Sequence, residues 1–200
     1  DSLTAAKKLV ANGKRYDYDK VILALGATPS VPAFSNLNNR SEFALSTDIA
    51  DGRTLREAIA KHSSAAIIGG GFIALEVAES LKARGYGKVY LLVRQDIARA
   101  HLDKDMTEKL KQVLVERGVE VILPAKIERI GKKNEKKCVT IPDGELEIDF
   151  IFFATGAEPN VELAQKAGLE IGKTGGIVVN QYLQTSEPDI YAVGDCMENW

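Results

Sequence analysis

The residues best suited to chemistry lie in the stretch SSAAIIGGGFIALEVAES. An apolar run ends in glycine, and Gly69, Gly71 and Ala74 follow a G-x-G-x-x-A spacing as a helix-like pattern begins. Between a strand and a helix, that spacing suits a dinucleotide. Gly69 permits a tight turn, Gly71 lets a pyrophosphate approach the backbone, and Ala74 keeps the helix close to the strand. Gly70, Phe72 and Ile73 complete the loop, and the helix start at Phe72 offers open N–H groups and a positive dipole end to phosphates. The alternative is a glycine-rich strand–helix turn without a ligand.

A second group of residues bears on which nucleotide would bind. NAD sites place Asp or Glu at the end of the second strand, where it accepts from ribose hydroxyls. Here that strand ends Leu92-Val93-Arg94-Gln95-Asp96, with no acid at Val93 or Arg94. A cation at Arg94 suits a 2′-phosphate, with Arg99 as a second partner. A hydrogen bond to a charged group contributes roughly 1.5–3 kcal/mol, enough for a tenfold preference. The expectation is therefore NADP over NAD. Asp96 turning back to the ribose would restore NAD, and both arginines also read as ordinary surface cations. A third position of interest closes the chain, where the strand-like IYAV delivers Gly194 and Asp195. A carboxylate at the carboxyl end of a buried strand suits a ligand crevice.

These residues need elements to position them. SSAAIIGGG reads as a buried strand, FIALEVAESLKARG as a helix with Ile73, Val77 and Leu81 on its apolar face and Gly85 as its stop, and KVYLLVRQD as a second strand. A longer helix over 103–118, capped by Asp103 and closed by Gly118, leads to a third strand, VEVILP. Residues 125–153 alternate and turn at Pro142-Asp143-Gly144, which predicts a β-meander ending in a buried strand. Before the loop, 7–11 and 16–25 read as strands joined around Asn12-Gly13, 33–50 as a polar linker and 53–61 as a helix. A short helix is expected at 161–167. The fold class is α/β, a Rossmann-like βαβ domain with a parallel sheet and a β-meander. Two short segments, ALGATPS and ATGAEPN, echo each other.

Composition narrows the function classes. The 200 residues are 45% hydrophobic and 27% charged, with a formal net charge of -2, which suits a globular protein and argues against nucleic acid as partner. The basic run KKNEKKC at 132–138 reads as a solvated hairpin end. No stretch has the length to span a bilayer, and two cysteines without a CxxC fit a reducing, cytoplasmic setting. The only methionines are Met106 and Met197, so the chain is expected to be a piece or processed product of a longer protein. Cys196, beside Asp195 and Glu198, lacks the electropositive surroundings of a reactive thiol. Cys138, His62 and His101 sit in no catalytic pattern.

Four ordered stretches, YDKVILALGATPSVP, AAIIGGGFIALEVAESL, IDFIFFATGAEPN and LQTSEPDIYAVGDC, resemble the FAD-dependent pyridine nucleotide–disulfide oxidoreductases, nearest to the NAD(P)H oxidase, coenzyme A-disulfide reductase and nitrite or rubredoxin reductase branch. The likeness spans nearly the whole chain. It implies an NAD(P)-binding domain at 49–158 inserted between partial flavin-domain segments at 1–48 (with the linker) and 159–200. By this resemblance Asp195 would bind the ribityl and pyrophosphate region of FAD, with Gly194 allowing close approach. Glu76 would face the nicotinamide, Phe72 would gate its pocket unless it packs in the core, and Gly156 and Ala157 would pass close to the ring. In the parent, NAD(P)H would reduce FAD, and the flavin an acceptor that this sequence does not choose. The first FAD-binding glycine loop, the redox-active cysteine and the interface domain do not occur here, so no catalytic residue is assigned and the chain alone is expected to be inactive. The rival reading is a stand-alone nicotinamide dinucleotide-binding module without catalysis.

Overall fold

Alternating strand residues with apolar side chains of two sizes can serve two cores at once. The sequence SAAII at Ser64–Ile68 does so, with all five residues buried. The computed structural model describes residues 2–4, 7–32, 43–44, 49–99 and 101–199, and the chain divides into two compact units, Pro29–Gly156 and Asp1–Thr28 with Ala157–Trp200.

In the unit Pro29–Gly156, a five-stranded parallel sheet runs Phe43–Ala44, Phe150–Phe153, Ser64–Ile68, Lys88–Leu92, Glu120–Ile122 in spatial order. On one face Ala65, Ile67, Val89, Leu91, Phe150 and Phe152 pack with Ala74, Ala78 and Leu81 of helix Phe72–Ala83 and Leu114 of helix Lys104–Glu116. The alternate residues Ala66, Ile68, Leu92, Ile151 and Phe153 pack on the other face with Ile130, Val139, Ile141 and Ile148. Those four come from an antiparallel meander, Arg129–Lys133, Lys136–Ile141 and Gly144–Ile148. The meander covers a sheet face that a second layer of helices covers in many α/β folds. Each fully buried Ile or Leu stabilises by roughly 1.5–3 kcal/mol, so both faces contribute substantially.

Three local expectations change. The helix Phe72–Ala83 buries Ala74, Leu75, Ala78 and Leu81, while Ile73 is 46% exposed and Val77 only partly buried. Small side chains face the sheet because the glycine loop brings the helix in close. The strand expected across 16–25 is broken: Lys14–Asp17 pairs back on Lys8–Ala11, and Val21–Leu23 joins a different sheet. Helix Ile49–Lys61 starts earlier than expected, and Phe43–Ala44 within the expected linker forms the sheet's edge strand; the rest of 33–48 lies outside the described residues.

In the other unit, Val21–Leu23 and Ile190–Ala192 form a parallel pair over a core of Leu3, Leu23, Ala164, Leu169, Ile177, Val179, Ile190, Ala192 and Cys196. Buried Glu198 accepts hydrogen bonds from the Lys173 and Thr174 amides at 3.0 and 2.7 Å and from the Thr174 hydroxyl. Those bonds, the Thr174 hydroxyl foremost, hold its carboxyl below the usual range against the opposing pull of burial. Among the described residues no helix is long and apolar enough to cross a membrane.

Candidate functional site

Because the strands of the five-stranded sheet are parallel, their carboxyl ends share one edge, and ligands of open parallel sheets bind there. A cleft of about 1220 Å³ opens at that edge, lined by the loops after all four long strands. The sequence-predicted Gly69, Gly70, Gly71, Phe72, Ile73, Ala74, Val93, Arg94, Arg99 and Gly156 all line it.

The three glycines are not equivalent. Gly69 has φ +136°, and a Cβ there would lie 2.1 Å from the Ala154 carbonyl oxygen. A Cβ on Gly70 would meet Val93 Cγ1 at 2.7 Å. Both glycines are demanded by the protein's own packing. Gly71 is different: it is the N-cap of helix Phe72–Ala83 with an ordinary φ of -81°, and a Cβ there would meet nothing within 4 Å. As glycine it supplies no side-chain cap, which leaves the first-turn amides open toward the cleft.

The loop after Lys88–Leu92 is held by its backbone and buried groups. Asp96 Oδ1 accepts from Ile97 N at 2.9 Å, Ala98 N donates to Gly70 O at 2.7 Å, and Thr107 Oγ1 donates to Ile97 O at 3.2 Å. Ile97 and Ala98 are buried, and Ala98 takes a left-handed φ of 48°. Arg94, Gln95 and Arg99 project from this frame and are exposed. Arg99 donates to Gln95 Oε1, while Arg94 has no hydrogen bond or ion pair among the described residues.

Phe72 is 49% exposed and stacks on His101 with ring centroids 5.1 Å apart. It therefore sits at the cleft and not in the core. Beyond Phe150–Phe153, Ser30 N donates to Gly156 O at 3.0 Å and the Thr155 hydroxyl donates to Ser30 O, closing that wall. The other predicted residues lie elsewhere. Glu76 is exposed on its helix and does not line the cleft. Ala157, Gly194 and Asp195 belong to the other unit. There Gly194 takes φ +74°, and Asp195, exposed and without a hydrogen bond among the described residues, follows strand Ile190–Ala192. Cys196 is fully buried, its sulfur 3.4 Å from Leu25 N and 3.3 Å from Val193 O, the setting of a structural thiol.

Sequence reasoning missed Lys126, His101 and Thr155, which also line the cleft. Lys126 had a usable signal, since it follows the third strand of the βαβ series. His101 had none, because its partner Phe72 is distant in sequence.

A parallel sheet with a glycine loop at its carboxyl edge places this chain among Rossmann-like α/β proteins. The profile of the family described as pyridine nucleotide-disulphide oxidoreductase matches residues 2–200, and the chain belongs to that family. It is 39% identical over 185 residues to an NADH oxidase of Methanocaldococcus jannaschii, covering 91% of this chain and 41% of that protein. It is also 39% identical over 193 residues to a CoA-dependent NAD(P)H sulfur oxidoreductase of Pyrococcus abyssi, covering 92% and 42%. Among solved structures, an NAD-dependent persulfide reductase from A. fulgidus superposes with a TM-score of 0.89 at 35% identity, over 99% of this chain and 38% of that one. The chain thus spans about two fifths of the length of these relatives.

Proposed function

We propose that residues 49–158, all but the last two of which fall in the Pro29–Gly156 unit, bind a nicotinamide dinucleotide for a flavoprotein oxidoreductase. The observation that carries this reading is Gly71. Nothing among the described residues requires glycine there, yet a side chain would occupy the space in front of the open helix amides. A pyrophosphate fits that cradle. Gly69–Ala74 would hold it, Val93 and Arg94 would border the adenosine ribose, and Gly156 would border the nicotinamide. Phe72 would flank the dinucleotide; for Glu76, outside the cleft lining, and Ala157, in the other unit, a nicotinamide-facing role rests on the family resemblance alone.

The finer reading is a preference for NADP. Arg94, at the strand end, has no hydrogen bond or ion pair among the described residues, and Asp96, the acid that would select NAD, already caps the turn at Ile97. Two of the three relatives carry NADH or NAD in their names, so the preference rests on this chain's own residues. Segments 1–48 and 159–200 would contribute part of a flavin site, with Gly194 and Asp195 at the FAD ribityl and pyrophosphate region. A nicotinamide held there would supply hydride chemistry to a flavin in the whole protein. This chain's part is to bind and orient the donor.

Calorimetric titration with NADPH and NADH tests the reading. Binding of either that is lost in Gly71→Val, with an unchanged far-UV spectrum, supports it. No binding of either by the unaltered chain, or equal affinity in Gly71→Val, overturns the pyrophosphate assignment.

A further inference from the structure

Two cations that face the same cleft without counter-ions repel each other in the empty protein, and an anion between them relieves that repulsion. Strands Lys88–Leu92 and Glu120–Ile122 are parallel, with Leu92 opposite Ile122. Val93 continues the ladder: its N–H donates to Ile122 O at 3.0 Å, and its carbonyl accepts from Ala125 N at 2.7 Å. Pro124 has no N–H to give, so the donor comes from Ala125. The residues next along each chain are Arg94 and Lys126, which places them side by side at the carboxyl edge. Both are exposed, both line the cleft, and neither has a hydrogen bond or ion pair among the described residues. Asp96, the one acid among the described residues that line this cleft, is bonded to Ile97 N.

We infer that Lys126 is a specificity-determining residue that grips, together with Arg94, the 2′-phosphate of a phosphorylated dinucleotide. This rests on the cleft being the dinucleotide site. Arg94 alone would bind one edge of a phosphate dianion; Lys126 on the neighbouring strand supplies a second, independent charge. Lys126 stands on a different loop from Arg94 and Arg99, so substitutions within 94–99 leave its backbone position unchanged while altering the energy it contributes.

The test compares the unaltered chain with Lys126→Gln and Lys126→Arg, titrated with NADPH, NADH and adenosine 2′,5′-bisphosphate. Lys126→Gln is expected to weaken NADPH and the bisphosphate by about tenfold and NADH by less than about twofold, with Lys126→Arg recovering most of the loss. In an Arg94→Gln background the Lys126→Gln effect should change, since two groups holding one phosphate are not additive. Equal weakening of NADPH and NADH would mean that Lys126 touches a part common to both, and would overturn the inference. So would unchanged affinity for all three ligands. In either case binding by the unaltered chain leaves the dinucleotide site standing, whereas an unaltered chain that binds neither dinucleotide removes the site and the inference together.

Discussion

At the scale of single residues, neighbouring glycines have separate reasons to be glycine. Gly69→Ala combines a disfavoured φ with a collision against a backbone carbonyl, neither of which can yield cheaply. It is expected to cost about 3 kcal/mol or more, read as a lower denaturant midpoint, with any loss of binding following from that. Gly71→Val should leave the midpoint unchanged within about 0.5 kcal/mol and remove binding. A Gly71→Val protein that unfolds early would show that the glycine serves the fold. Arg94→Glu places an acid where a cation stood, and the ratio of NADH to NADPH affinity should rise by at least about tenfold. An unchanged ratio would remove Arg94 from the site.

Among the elements, the start of strand Ser64–Ile68 is fastened by Asp149, whose Oδ2 accepts from Ser64 Oγ at 2.8 Å and from the Ser63 and Ser64 amides at 3.2 and 3.0 Å. Burial pushes the Asp149 carboxyl up, but the Ser64 hydroxyl, the two amides and nearby Lys136 outweigh it and leave it below its ordinary value. A carboxyl lowered on folding adds stability above its unfolded pKa, near 3.9, and loses it as pH falls through the folded value. The urea midpoint should therefore drop below about pH 4, and Asp149→Asn should lose stability at neutral pH and show a shallower drop. Equal slopes in the two proteins would contradict this. Much at this scale was legible in the sequence. The loop 69–74, the two long helices and the meander follow from local period and turn chemistry. The helix face was misread, since Ile73 looks like core by period alone, while the close packing that selects Ala74 and Ala78 depends on the sheet beneath. Lys126 was open to suspicion from its place after the third strand, but its pairing with Arg94 was not legible, because it depends on the register between two strands.

For the whole molecule, the consequential fact is that each unit has its own core. Thermal unfolding is expected in two calorimetric transitions, not one. A dinucleotide at 100 times its Kd stabilises the state that binds it by about 2.7 kcal/mol, so NADPH should raise one transition and leave the other in place. A single transition that moves as a whole would show that the units unfold together.

The bonds that fasten the loop at 94–99 also shape how this protein can change. Its conformation is set by backbone groups, by buried Ile97 and Ala98 and by Thr107 on a neighbouring helix, none of which needs the side chains that point outward. Arg94, Gln95 and Arg99 can be exchanged without disturbing the frame that presents them. A lineage carrying this loop could change the groups it presents to the cleft through single substitutions, each intermediate still folding, and a designer could follow the same path.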